Sequence, residues 1–112
     1  TIYQKPSCAT CKQVYNILTE SGMDFNAVNY YLAPLSENKL RTLLKKMKMS
    51  PRELLRKKEP MYKELQLDEA HFSDDELIHF IITYPDLLQR PIVEKGATAI
   101  LARPPERLKE IL

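Results

Sequence analysis

The strongest constraint on this chain is a handover near its start. A short β-prone stretch, Thr1-Ile2-Tyr3, runs through Lys5-Pro6-Ser7-Cys8-Ala9-Thr10-Cys11-Lys12 into a helix. Val14, Ile17 and Leu18 give that helix, over about residues 11–21, its apolar face, and Gly22 is a natural stop. Phe25-Asn26-Ala27-Val28-Asn29-Tyr30 alternates and reads as a second strand. The start is therefore βαβ, and the only two cysteines sit where strand passes to helix. A thiolate attacks where a thiol does not. Free cysteine has a pKa of about 8.5, which a helix N-terminus or nearby cations lower. Cys8 falls just before the helix, where unpaired backbone N–H groups point outward. Lys5 and Lys12 add positive potential, and Cys11 lies one turn on, within reach of Cys8. The pattern points to redox or nucleophilic chemistry.

A zinc site would need two more ligands, and the chain offers only His71 and His79 and no second cysteine pair, so no metal is expected. Both histidines read as surface or partly buried, and Tyr30 and Tyr31 as packing at a strand end.

The middle of the chain reads as helical. Ser36 caps a helix with Leu40, Leu43, Leu44 and Met47 in one stripe. Ser50-Pro51-Arg52-Glu53 opens another, with a capping serine, a first-turn proline and a third-position glutamate, and Pro60 is expected to end or bend it. Ser73-Asp74-Asp75-Glu76 repeats the capping box before Leu77, Ile78, Phe80 and Ile81, and Pro85 closes that helix. Arg90-Pro91-Ile92-Val93-Glu94 then resumes a strand, Lys95-Gly96 turns, and residues 97–102 supply the hairpin partner. Pro104 and Pro105 suit the first turn of a last helix carrying Leu108, Ile111 and Leu112. The order βαβ, helices, ββα predicts an α/β fold with a thioredoxin-like mixed sheet. One domain over 1–112 is expected, its core in 1–33 and 88–112 and a helical insertion in 34–87.

Composition narrows the partners. The 112 residues are 44% hydrophobic and 29% charged, an ordinary globular balance. A formal net charge of +2 gives no case for nucleic acid; Lys45-Lys46-Met47-Lys48 and Arg56-Lys57-Lys58 read as solvated helix faces that could also serve a small anion. No apolar run approaches the ~18 residues needed to span a bilayer, no signal-peptide pattern precedes the first strand, and one close cysteine pair is no secreted disulfide framework. A cytoplasmic protein without membrane contact is expected.

Several blocks together carry a resemblance: Lys5-Pro6-Ser7-Cys8, Leu54-Leu55-Arg56, Tyr62-Lys63-Glu64-Leu65, Arg90-Pro91-Ile92-Val93 and Ala102-Arg103-Pro104-Pro105-Glu106. In order and spacing, over essentially the whole chain, they resemble the glutaredoxin-linked arsenate reductase family. The resemblance implies Cys8 as nucleophile and Arg56, Arg90 and Arg103 around an oxyanion. Guanidinium groups suit that role, because they fork two hydrogen bonds to tetrahedral oxyanions and stay charged. It further implies that the Cys8 thiolate attacks arsenate and displaces water, and that glutathione completes reduction to arsenite. Glutaredoxin then resolves the Cys8–glutathione disulfide. Glutathione is thus a co-substrate, with no bound cofactor. The bond before Pro91 is expected cis, as in thioredoxin-like domains generally.

Two positions depart from the family pattern. Gln4 stands where members often carry histidine, and it cannot donate positive charge. Cys11 stands where a non-thiol residue is usual; as a resolving partner it could release glutathione and leave a Cys8–Cys11 disulfide for thioredoxin. Two other functions fit parts of the chain. Spx-type regulators share the fold and a Cys-x-x-Cys switch and bind RNA polymerase, although Arg103-Pro104-Pro105-Glu106 is atypical of them. A general glutathione-dependent thiol reductase would use the same arginines for another oxyanion or a carboxylate.

Overall fold

Strand β1, Ile2–Gln4, lies inside a four-stranded sheet between β2, Ala27–Asn29, and β3, Ile92–Lys95, with β4, Thr98–Leu101, beyond β3. The order is β2-β1-β3-β4. β1 and β2 run parallel, joined by helix α1, Ala9–Glu20, whereas β1/β3 and β3/β4 are antiparallel. A parallel pair needs a crossover and an antiparallel pair only a hairpin; Gly96, at φ +60, opens the two-residue turn that makes the hairpin. This is the expected thioredoxin-like sheet. The structure is a computed structural model that describes residues 1–69 and 71–112. Its described residues divide into two units, Thr1–Pro34 with Arg90–Leu112, and Leu35–Gln89.

The first unit packs Ile2, Val14, Leu18, Val93, Ile100, Ala102 and Leu108 into one core, with Phe25 and Ile111 against it. Each fully buried Ile or Leu stabilises the fold by ~1.5–3 kcal/mol relative to exposure. The second strand is shorter than its alternation suggests, since Phe25 packs on the core and only three residues pair with β1. The last helix is a 3₁₀ helix, Pro105–Glu110, rather than an α-helix. Prolines 104 and 105 bring no N–H donors, and i→i+3 bonds such as Arg107 N–H to the Pro104 carbonyl take over. Leu108 is buried as expected, but Leu112 is exposed.

In the second unit, α2, Glu37–Met47, and α5, Asp74–Thr83, pack together and bury Leu40, Leu43, Leu44, Leu77, Ile78 and Ile81. Ser36, Ser50 and Ser73 each cap the N–H three residues on, as expected. The Ser50 helix differs from the reading to Pro60. It is only α3, Pro51–Leu54, because Leu55 turns extended and bridges Leu88, with Arg56 N–H on the Leu87 carbonyl and Gln89 N–H on the Leu54 carbonyl. Pro60 then starts α4, Pro60–Glu64, at the one helical position where a missing N–H costs nothing. No helix among the described residues is long and apolar enough to cross a membrane.

Candidate active site

The sheet register gathers the reactive residues of the first unit at one end. Gln4 and Asn29, paired side by side, finish β1 and β2, so Lys5 and Tyr30 leave the sheet together. Because β3 runs the other way, with Tyr3 opposite Ile92, its entry segment Arg90-Pro91 meets that same end. β4 arrives there too, since Leu101 pairs with Ile92 and the Ala102 N–H donates to the Pro91 carbonyl at 2.9 Å. The Arg90–Pro91 bond is cis, as expected, and Arg103–Pro104 is cis as well. Ligands of open α/β sheets gather outside the carboxyl ends of the parallel strands, and this is that end.

Cys8 is the N-cap of α1, with an extended backbone at φ −79 and ψ 127. Its own N–H bonds to the Lys5 carbonyl at 2.9 Å, and its carbonyl accepts from Lys12 at 3.0 Å, closing the loop onto the helix. The side chain makes no formal capping hydrogen bond, yet the Cys11 N–H is aimed at the sulfur. Burial pushes the Cys8 thiol up. The Cys11 backbone N–H and thiol, and then the Arg90 guanidinium, overcome it, and the pKa falls to about 7.

Cys11 behaves oppositely. It is fully buried, and burial first, with the neighbouring Cys8 sulfur reinforcing it, pushes its pKa up to about 12 against the pull of the Lys5 backbone and Arg90. Both cysteines are free thiols. At neutral pH the pair is thus a half-ionised Cys8 over a protonated Cys11.

Arg90 and Gln4 are the buried polar residues among those described. Burial works against the Arg90 charge, but Tyr30, Cys8 and Tyr31 around it raise its pKa above the ordinary arginine value. Arg103 Nη1 donates to the Arg90 carbonyl at 3.2 Å, which ties the second guanidinium to the same turn. Lys5 Nζ lies 5.1 Å over the Tyr31 ring. Lys12 lines a groove of about 310 Å³ with Gln4, Pro6, Tyr15 and Asn16 along α1. Arg56 belongs to the second unit, where it ion-pairs with Glu59. His71 and His79 are exposed, beside Glu69 and Glu37, and the described residues hold no cluster of three metal-ligating side chains. A larger cavity of about 420 Å³ lies at the opposite end of the sheet, among Thr1, Phe25, Lys95 and Ile111, and holds neither cysteine.

The sequence reading passed over one residue of this end. Tyr30, taken as packing, is 2% exposed, and its hydroxyl reaches the surroundings of Arg90 and Cys11. The available signal was its place one residue past a strand parallel to β1, at the carboxyl end where the cysteine loop also leaves the sheet.

The ArsC family model matches residues 3–111. The protein YfgD of Escherichia coli K12, which carries no described activity in its name, is 40% identical over 112 residues, covering 99% of this chain and 94% of its own length. An arsenate reductase of Acidiphilium multivorum is 38% identical over 112 residues, covering 100% of this chain and 79% of the relative. Among solved structures, an arsenate reductase from Vibrio cholerae superposes with a TM-score of 0.96 at 33% identity, over 100% of this chain and 96% of that one.

Proposed function

This chain belongs to the ArsC family, and from that premise we propose that it is an arsenate reductase whose nucleophile is the Cys8 thiolate. The observation that carries the reading is the Cys8 thiol at the N-terminus of α1 with the buried Arg90 guanidinium against it, its pKa drawn down to about 7. A relative 38% identical over the whole chain is named an arsenate reductase, which supplies the substrate.

The thiolate attacks arsenic(V) and an oxygen leaves as water. Arg90 and Arg103, from the turns that carry Pro91 and Pro104, hold the remaining oxygens and offset the charge that builds on them. Glutathione then brings the second sulfur. Reduction of arsenic(V) to arsenic(III) takes two electrons, and the two sulfurs supply one each as they join in the Cys8–glutathione disulfide. Glutaredoxin takes up that glutathione and returns Cys8 as the thiol.

Cys11 favours a second way to finish. Its thiol is inside the protein, beside Cys8, where it competes with an external thiol for the mixed disulfide. Attack by Cys11 sulfur on Cys8 sulfur expels glutathione with its electron pair, the Cys11 proton leaves, and a Cys8–Cys11 disulfide remains. A dithiol donor such as thioredoxin then reduces it.

The test is NADPH consumption with arsenate, run once with glutathione, glutaredoxin and glutathione reductase and once with thioredoxin and its reductase, beside Cys8→Ser. Turnover no higher than Cys8→Ser in both arms sinks the arsenate reading and leaves a regulator or a reductase of other substrates. Thioredoxin-driven turnover that survives Cys11→Ser removes the internal disulfide.

A further inference from the structure

The reaction outlined above gives no work to the hydroxyl of Tyr30. Its oxygen is enclosed by protein and meets no hydrogen-bond partner at ordinary geometry. The ring stacks on Tyr31 at 5.0 Å, a contact that phenylalanine would make equally well. Packing therefore explains the ring and leaves the oxygen unexplained, since an enclosed polar atom destabilises unless something nearby uses it.

The charged and titratable groups that face this hydroxyl are Arg90, Tyr31 and Cys11, and those that face Arg90 in turn are Tyr30, Tyr31, Cys8 and Cys11. The Tyr30 hydroxyl and the Cys8 sulfur therefore both act on the Arg90 guanidinium. The hydroxyl is too enclosed to touch a bound anion, so any effect it has passes through Arg90.

We propose that Tyr30 is a positioning residue, whose neutral buried hydroxyl is the rest against which the Arg90 guanidinium is held toward Cys8. Chemistry favours a phenol over a carboxylate in that place. A carboxylate would fix the guanidinium equally well but cancel its charge, and both the thiolate and an oxyanion need that charge. Burial keeps the phenol protonated and hence neutral. An aliphatic residue would leave the guanidinium without a polar wall. Only the effect on the anion rests on the function proposed above; the effect on Cys8 does not.

The experiment is Tyr30→Phe, read first by the pH profile of Cys8 alkylation with iodoacetamide, quantified on the Cys8 peptide. The midpoint is expected to rise by about half a pH unit, which makes alkylation roughly threefold slower below it. KM for arsenate rises about three- to tenfold with a smaller change in kcat, because the guanidinium binds the anion less well. In an Arg90→Leu background, Tyr30→Phe adds no further shift, as a residue acting through Arg90 requires. An unchanged Cys8 profile in a folded Tyr30→Phe protein overturns the proposal, and so does an equal shift in the Arg90→Leu background. If Tyr30→Phe does not fold, 3-fluorotyrosine at position 30 keeps the hydroxyl while weakening it as an acceptor. It must move the midpoint in the same direction by less, and no movement overturns the proposal. A wild-type protein without arsenate turnover defeats the proposed function and leaves the alkylation test standing.

Discussion

Helices α1 and α5 open in the same way and put the opening to different uses. At α5 the N-cap Ser73 has an extended backbone, its Oγ accepts from the Glu76 N–H at 3.2 Å, and Glu76 Oε1 accepts from the Ser73 N–H at 3.0 Å. At α1 the N-cap Cys8 is likewise extended, at ψ 127 against 163 for Ser73, and has the Cys11 N–H in the third place. Oxygen there satisfies a donor that the helix leaves open. Sulfur caps poorly, but it can ionise, and the same donor then favours its anion. One atom thus turns a stabilising device into an activating one, and Arg90 adds what the helix terminus alone does not supply. The first turn of α5 carries Asp74, Asp75 and Glu76, all suited to the helix dipole, whereas that of α1 carries no acidic residue that would oppose a thiolate.

The sharpest break of this comparison is Cys8→Ser, which makes the α1 cap resemble the others. Arsenate turnover is expected to fall by on the order of a thousandfold or more, to the level of the protein-free reaction, since no nucleophile remains. Stability should hold or rise by up to about 1 kcal/mol, because serine is the better cap. Urea unfolding beside the coupled assay checks both. A large loss of stability would mean that the sulfur is part of the packing and that the two openings are not alike.

Arg90→Leu comes next and tests what distinguishes the α1 opening. In the native protein Cys8 alkylation should be half-maximal near pH 7, fall tenfold per pH unit in acid and reach a plateau above, because the depressed pKa belongs to an acid whose anion reacts. Without the guanidinium, burial remains on one side and the Cys11 N–H and thiol on the other. The midpoint is expected to rise by roughly one unit, and turnover to drop by roughly ten- to a hundredfold as anion binding weakens too. A midpoint left near pH 7 would assign the activation to the helix terminus and the Cys11 thiol without Arg90.

The sequence made much of this legible because its local signals agree with the fold. Three serine caps, the βαβ start and the Gly96 hairpin all form where the residue types say, and the register of the short strands then places Arg90 and Arg103 by geometry. Where the reading failed, long-range pairing had overridden a local preference. Leu55 leaves its helix to bridge Leu88, 33 residues on by number (88 − 55), and no pattern within 50–60 announces that. Tyr30 was hidden for a similar reason, since an aromatic at a strand end reads as packing until the sheet order shows what the strand ends beside. Arg56 is the reverse case. The resemblance names it, but nothing in its own surroundings, where Glu59 takes its charge, would have singled it out.

Ser73→Ala is the smallest change and tests the other half of the comparison. Loss of the hydroxyl removes the acceptor for the Glu76 N–H and should cost about 1 kcal/mol in urea unfolding, with the Cys8 alkylation profile unmoved. The cost should also depend on pH in a stated direction. The Ser73 N–H first, and its hydroxyl second, hold the Glu76 carboxyl below its usual range. A depressed carboxyl contributes stability that is present above its unfolded pKa and lost as pH falls through its folded one. The native protein therefore loses the carboxylate arm of the box in acid. The variant has less of it to lose, because only the backbone N–H still favours the anion. The two unfolding curves should converge as the pH drops below the carboxylate range. A gap that stays constant would mean that the hydroxyl acts as a cap alone, with no share in holding Glu76 ionised.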